Sequence, residues 1–158
     1  LQDSNSAAKY SHLKVNLSQS RHVYNVRKRT YLGKLRQIEL GLSPGEAALF
    51  SLLPRQALKP AVTLCQTRLA SGGEIEGMIE LPDVGNTPVA GQTIRLEVLD
   101  PSGNLCTPYC RNLLTNNSQA QFRFSTALSD PPGQWQVRAV DLTSGLTSAA
   151  TFEILGAD

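Results

Sequence analysis

The sequence predicts an all-β protein: an antiparallel, immunoglobulin-like β-sandwich preceded by a small β-unit. Three observations carry this reading. Between Gly91 and Leu155 polar and apolar residues alternate in four runs, Thr93 to Leu99, Gln121 to Phe124, Gln134 to Val140, and the stripe of Ala150, Phe152 and Ile154. Sharp turn sequences separate them, namely Asp100-Pro101-Ser102-Gly103, Asp130-Pro131-Pro132-Gly133 and Thr143-Ser144-Gly145. Period-two patterning between Pro, Gly and Asp turns is how half-buried antiparallel strands are written in sequence. Finally, no helical or coiled-coil period of useful length and no internal repeat occurs. Strands at this spacing fit a sandwich of the immunoglobulin kind.

Taken in order, residues 1–9 are small and polar and read as a linker or disordered segment. A small β-unit is expected over 10–53. In it, Leu13, Val15 and Leu17 share one strand face, Ser18-Gln19-Ser20 turns the chain, and Arg21 to Arg27 returns with Tyr24 and Val26 inward. Lys28-Arg29-Thr30 turns again before Tyr31 to Leu42. Ser43-Pro44-Gly45-Glu46 has the residues of a helix-capping box, but turn followed by a strand over Ala47 to Leu53 is the reading taken. Residues 54–60, with Pro54 and Pro60, form the linker. The sandwich is expected over 61–155. It begins with one strand from Ala61 to Ala70, turns at Ser71-Gly72-Gly73 into Glu74 to Leu81, and loops from Pro82 to Pro88. Leu105 to Leu114, broken by Pro108, fits an edge strand because proline cannot donate to a ladder.

Composition bounds function mainly by exclusion. At 158 residues the chain buries enough surface to fold without a metal or disulfide staple. Its net charge of +2 gives no general attraction to nucleic acid or anionic membrane. The longest apolar runs, Ala47 to Leu53 and Leu146 to Ile154, fall far short of the roughly 20 residues of a membrane-spanning helix. Leu1 is not an initiator methionine and the first six residues are no signal peptide, so the chain is expected to begin inside a longer protein.

Chemistry is sparse. Trp135 runs in phase with Val137 and Ala139 and reads as core. Asp100, Asp130 and Asp141 stand at turns, where aspartate caps backbone, and Glu74, Glu76 and Glu80 share a solvated strand face. No pair of carboxylates stands where a glycosidase needs one, so no catalytic residue is expected. His12, His22 and the three cysteines match no zinc spacing, and neither a phosphate loop nor a nucleophile elbow occurs. No metal and no cofactor is expected. Cys106 and Cys110 flank Pro108: a straight strand holds them too far apart for a bridge, which would need a tight bend at Thr107-Pro108, and buried free thiols are the reading taken. The candidate ligand contacts are the tyrosines Tyr24, Tyr31 and Tyr109. Arg21, Arg27, Lys28, Arg29, Lys34 and Arg36 form one basic cluster, read as a solvated hairpin or a surface for an acidic partner domain; without an overall basic footprint, nucleic acid is not expected.

Two sets of phrases add a resemblance. Ala127-Leu128-Ser129-Asp130-Pro131-Pro132-Gly133-Gln134-Trp135 and Val137-Arg138-Ala139-Val140-Asp141-Leu142-Thr143-Ser144-Gly145 resemble the C-terminal immunoglobulin-like module of bacterial β-galactosidase-like proteins of glycoside hydrolase family 42, which carry a trimerisation-type domain. Ser129 and Ala139 depart from the asparagine and aspartate usual there. Val23-Tyr24-Asn25-Val26-Arg27 leading to Leu42-Ser43-Pro44-Gly45-Glu46-Ala47 resembles the end of the small β-domain in the same proteins, with Asn25 in place of aspartate. The shorter phrase recurs in other extracellular sandwiches, macroglobulin-type domains included. The glycosidase resemblance implies a non-catalytic accessory module, extracytoplasmic, that supports a catalytic part or contacts carbohydrate. Its partners would be upstream domains of a parent protein, with a homo-oligomer formed through that parent. The alternative is a protein-interaction or adhesion sandwich, working through a sheet edge or exposed apolar patch.

Overall fold

The computed structural model describes residues 11–82 and 91–156. The linker reading of 1–9 lies outside the described residues, as does most of the Pro82 to Pro88 loop. The chain is all-β, and among the described residues the helical content is a single 3₁₀ turn, Thr107–Tyr109. It divides into two compact units, Leu1–Gln56 and Ala57–Asp158.

The first unit is a three-stranded antiparallel sheet with β1 (Ser11–Asn25) between β2 (Thr30–Leu42) and β3 (Phe50–Leu53). Two strands with a turn at Ser18-Gln19-Ser20 were expected where β1 runs unbroken. The turn residues are absorbed as a bulge, since the register passes from Asn16↔Gln37 to Arg21↔Leu35. Extra residues on one strand bend it and restore the pairing beyond. Asn25 caps the hairpin tip by accepting a hydrogen bond from the Lys28 N–H at 2.9 Å. The capping-box residues do meet: Ser43 N–H donates to Glu46 Oε2 at 3.0 Å, and Glu46 N–H donates to the Ser43 carbonyl at 3.0 Å. No helix follows, and β3 starts at Phe50, three residues later than expected.

The second unit is the sandwich. One sheet has the order β5 (Arg68–Ala70), β11 (Thr147–Leu155), β10 (Gly133–Asp141), β7 (Thr93–Leu99), β8 (Arg111–Leu114). The other has β4 (Ala61–Leu64), β6 (Glu74–Glu80), β9 (Gln119–Ser125). The single strand expected over Ala61 to Ala70 is instead two, because the chain switches sheets at Cys65 to Thr67. β4 pairs with β6 antiparallel, whereas β5 crosses to run parallel with β11. Leu69 is thereby delivered into the core from the opposite layer.

Alternation builds that core. Ile75 and Ile79 of β6, Ile94, Leu96 and Val98 of β7, Trp135, Val137 and Ala139 of β10, and Phe152 and Ile154 of β11 are all buried. Trp135 stacks on Phe152 with ring centroids 6.0 Å apart and donates its indole N–H to the Pro131 carbonyl at 3.0 Å. Its polar atom is satisfied, so a large aromatic sits in the core without an orphan donor. On the solvent side of the same sheet, Arg138 faces Glu97 in the ladder and binds its Oε2 through Nη2 at 2.6 Å and Nε at 2.8 Å.

Candidate interaction surface

The ribbon of β1 and β2 sorts its side chains by cross-strand register. Leu13 lies opposite Leu40 and Val15 opposite Ile38, which puts these four on one face. Period two carries the same face along β2 to Arg36 and Lys34, and His22 lies opposite Lys34. Tyr24 lies opposite Tyr31 one step further on. The other face carries Lys14, paired with Glu39 at 3.0 Å. One face therefore runs from an aliphatic stripe through two cations to an aromatic group.

Much of that face meets solvent. Leu13 and Val15 are each 44% exposed, large values for aliphatic side chains on a sheet face. Lys34, Arg36 and Tyr31 are exposed as well, whereas Ile38 is buried. Among the described residues the outer strand edges have no ladder partner. β2 is an edge strand over its whole length, and β3 covers β1 only from His22 to Asn25. Unpaired edges are ready templates for another chain.

The three candidate tyrosines have different fates. Tyr24 is 3% exposed, which corrects its expected role as a ligand contact: its ring packs against Tyr31, centroids 4.9 Å apart, and offers no face to solvent. Val23, next to it, is fully buried although strand alternation points it the other way, so this stretch of β1 is covered on both faces. Tyr31 is exposed and held by a 2.6 Å hydrogen bond between its hydroxyl and His22 Nδ1, with the two rings stacked 5.8 Å apart. Tyr109, in the second unit, is half-buried. It packs on Phe124 with centroids 5.1 Å apart and donates its hydroxyl to Asp130 Oδ2 at 2.6 Å. Burial, reinforced by the bond to Asp130, pushes the Tyr109 phenol above its usual range. Tyr31 is the one tyrosine of the three with an exposed ring.

The turn aspartates are engaged with backbone. Asp100 accepts from the N–H groups of Ser102 at 2.9 Å and Asn104 at 2.8 Å. The Asn104 backbone bond is the leading cause that holds the Asp100 carboxyl below the usual carboxylate range. Asp130 accepts from the Ala127 N–H at 2.8 Å, and buried Asp141 from Thr143 N–H at 2.9 Å and the Ser144 hydroxyl. Among the described residues no group of three His, Cys, Asp or Glu is placed to hold a metal ion, and no helix is long and apolar enough to cross a membrane. All three cysteines are free. The bend at Thr107-Pro108 is the 3₁₀ turn, and Cys110 Sγ lies 3.2 Å from the Cys106 carbonyl.

A second surface lies on the solvent face of the β4–β6–β9 sheet, where an open groove of about 590 Å³ runs past Thr63, Cys65, Glu76, Met78, Gln121 and Arg123. Glu74 and Glu80 belong to the same face of β6. Arg123 reaches Glu74 at 3.6 Å and Glu76 at 3.8 Å, and among the described residues Glu80 has no ion-pair partner.

Charge divides with the units, a feature the whole-chain balance of +2 conceals. Residues 1–56 hold nine Lys and Arg against three Asp and Glu, net +6, while residues 57–158 hold six against ten, net −4. Counting charge on each side of the expected linker was the signal that would have found this.

No protein-family model and no curated protein matches the chain. Among solved structures it is similar to a point mutant of Salmonella alpha-2-macroglobulin, with a TM-score of 0.53 at 15% identity over 96% of this chain and 11% of that one. Trypsin-activated alpha-2-macroglobulin from Escherichia coli gives 0.53 at 15% identity, covering 92% and 13%. The Escherichia coli protein activated by porcine elastase gives 0.51 at 16%, covering 61% and 8%. The chain thus spans about a tenth of the length of these proteins. At such identities the likeness is one of fold: β-domains of the kind that large macroglobulin chains contain.

Proposed function

We propose that this chain is a non-catalytic β-module that works by binding protein, and that the β1–β2 ribbon is its contact surface. The observation that carries the reading is the ribbon face itself. Leu13 and Val15, both 44% exposed, continue into exposed Lys34, Arg36 and Tyr31 on strands whose edges are open. Protein interfaces combine an apolar centre with aromatic and arginine contacts, and open strands supply main-chain hydrogen bonds. Carbohydrate recognition asks for aromatic rings lining a concavity, and among the described residues the ribbon exposes the ring of Tyr31 alone. The accessory role in a glycoside hydrolase rests on the sequence phrases alone. Catalysis finds no support in aspartates that each cap a turn or in strand glutamates that lie on solvated faces.

The test places a photo-crosslinking residue at Leu13 or Tyr31 of the chain in its native host. A protease-sensitive adduct supports the reading. Saturable binding of the purified chain to a soluble polysaccharide, with no protein adduct, replaces it with carbohydrate recognition.

A further inference from the structure

The ribbon of the first unit and the grooved sheet of the second belong to units of opposite net charge. The ribbon presents Lys34 and Arg36 beside an exposed aliphatic stripe, in a unit of net +6. The sheet presents a groove lined by Glu76, half-buried Met78 and Arg123, which reaches Glu76 at 3.8 Å, with Glu80 further along the same face of β6, in a unit of net −4. We infer that the occupant of the ribbon is a second copy of this chain, docked through the β4–β6–β9 face in a head-to-tail association. This deepens the protein-binding reading above and rests on it.

Leu13 and Val15 gain by leaving water, and Met78 is the adaptable apolar side chain that irregular contacts favour. Opposite net charges steer the encounter and fix which surface meets which, while two ribbons or two sheets repel. Because the two surfaces differ, the contact is heterologous, and successive copies either close into a ring or run on as a chain. Assembly is concentration-dependent and weakened by salt.

Sedimentation velocity of the whole chain, over a rising concentration series at low and high salt, reads this directly. Species larger than a monomer are expected at low salt, reverting to monomer at high salt. Two variants with exposed substitutions then separate the surfaces: Lys34→Gln with Arg36→Gln, and Glu76→Gln with Glu80→Gln. Each variant alone is expected to stay monomeric, and their equimolar mixture to form a one-to-one dimer and stop there, since one good ribbon and one good sheet remain. Circular dichroism matching the parent shows that both variants fold. A parent chain that stays monomeric at every concentration overturns the inference, and so does a mixture that stays monomeric. Salt-sensitive binding of heparin by a monomeric parent also overturns it, giving the ribbon a polyanion instead. A monomeric chain that still yields a protein adduct in the cross-linking test loses only the self-association and keeps the protein-binding role.

Discussion

Gly77 lies directly across the β6–β9 ladder from Phe122, and the phenyl ring occupies the space a side chain on Gly77 would need. A Cβ at Gly77 would stand 2.5 Å from Phe122 Cζ and 2.5 Å from the Thr63 carbonyl oxygen. Glycine ordinarily weakens a strand, but here its missing side chain lets an aromatic from the next strand lie over the backbone.

Gly77→Ala is therefore expected to destabilise the sandwich by about 1–3 kcal/mol, the usual range for overpacking a core. Urea unfolding should show the midpoint fall with an unchanged slope. A midpoint equal to the parent's would mean that Phe122 moves aside freely.

Trp135 is the sole tryptophan and is 1% exposed. Its emission should be blue-shifted and resistant to acrylamide in the folded chain, with a red shift tracking unfolding. Trp135→Ala should cost about 3–5 kcal/mol, through the cavity left against Phe152. Quenching as efficient as in free tryptophan would contradict its burial.

Tyr109 ties two loops together, donating to Asp130 and accepting from the Ala127 N–H at 2.9 Å. Its phenol is raised in the folded state, so the unfolded chain loses this proton first. The stability it confers is complete below the ordinary tyrosine value of 10.0 and is lost as pH rises through the higher folded value. Tyr109→Phe should cost about 0.5–1.5 kcal/mol near neutrality, and should flatten the alkaline fall in thermal midpoint. An alkaline limb identical in the two proteins would show that another group sets it.

Asp100 carries the opposite sign. Its folded value lies below 3.8, so the stability it contributes is present above 3.8 and fades as pH drops through the folded value. Asp100→Asn keeps an oxygen to accept the Ser102 and Asn104 N–H groups, so neutral stability should change little. The variant should nevertheless lose less stability than the parent between pH 4 and strong acid, about the window in which a depressed carboxylate titrates. Acid-melting profiles of the two proteins decide the point.

The cysteines should react in order of access. Cys65 is exposed, whereas Cys106 is half-buried, and burial aided by the Asp100 and Asp130 carboxylates pushes its thiol above 9.0. Since the thiolate is the reactive form, iodoacetamide at neutral pH should label Cys65 first and Cys106 slowly. Peptide mass spectrometry after short exposures measures the order; equal rates would count against the burial of Cys106.

By itself the sequence determined the strands and turns of the sandwich. Trp135, Val137 and Ala139 could be assigned to one buried face because a strand's side chains repeat every two residues, and Asp100-Pro101-Ser102-Gly103 could be assigned to a turn because its residues favour that backbone. Only the tertiary structure decided what depends on neighbours distant in the chain. The crossing from β4 to β5 follows from which strand edge each half finds, and nothing within Ala61 to Ala70 encodes that choice. Ser18-Gln19-Ser20 carries the composition of a turn, yet pairing on both sides of it draws the residues into a bulge. Tyr24 and Val23 point to opposite faces and are both buried, a fact no alternation pattern contains. The candidate surface divides in the same way: its cations and Tyr31 were legible as residues, and alternation sets Lys34 and Arg36 in phase with Ile38, while cross-strand register placed Ile38 and Leu40 on the face of Val15 and Leu13. Local pattern fixes which way a side chain points, and only packing fixes what it meets.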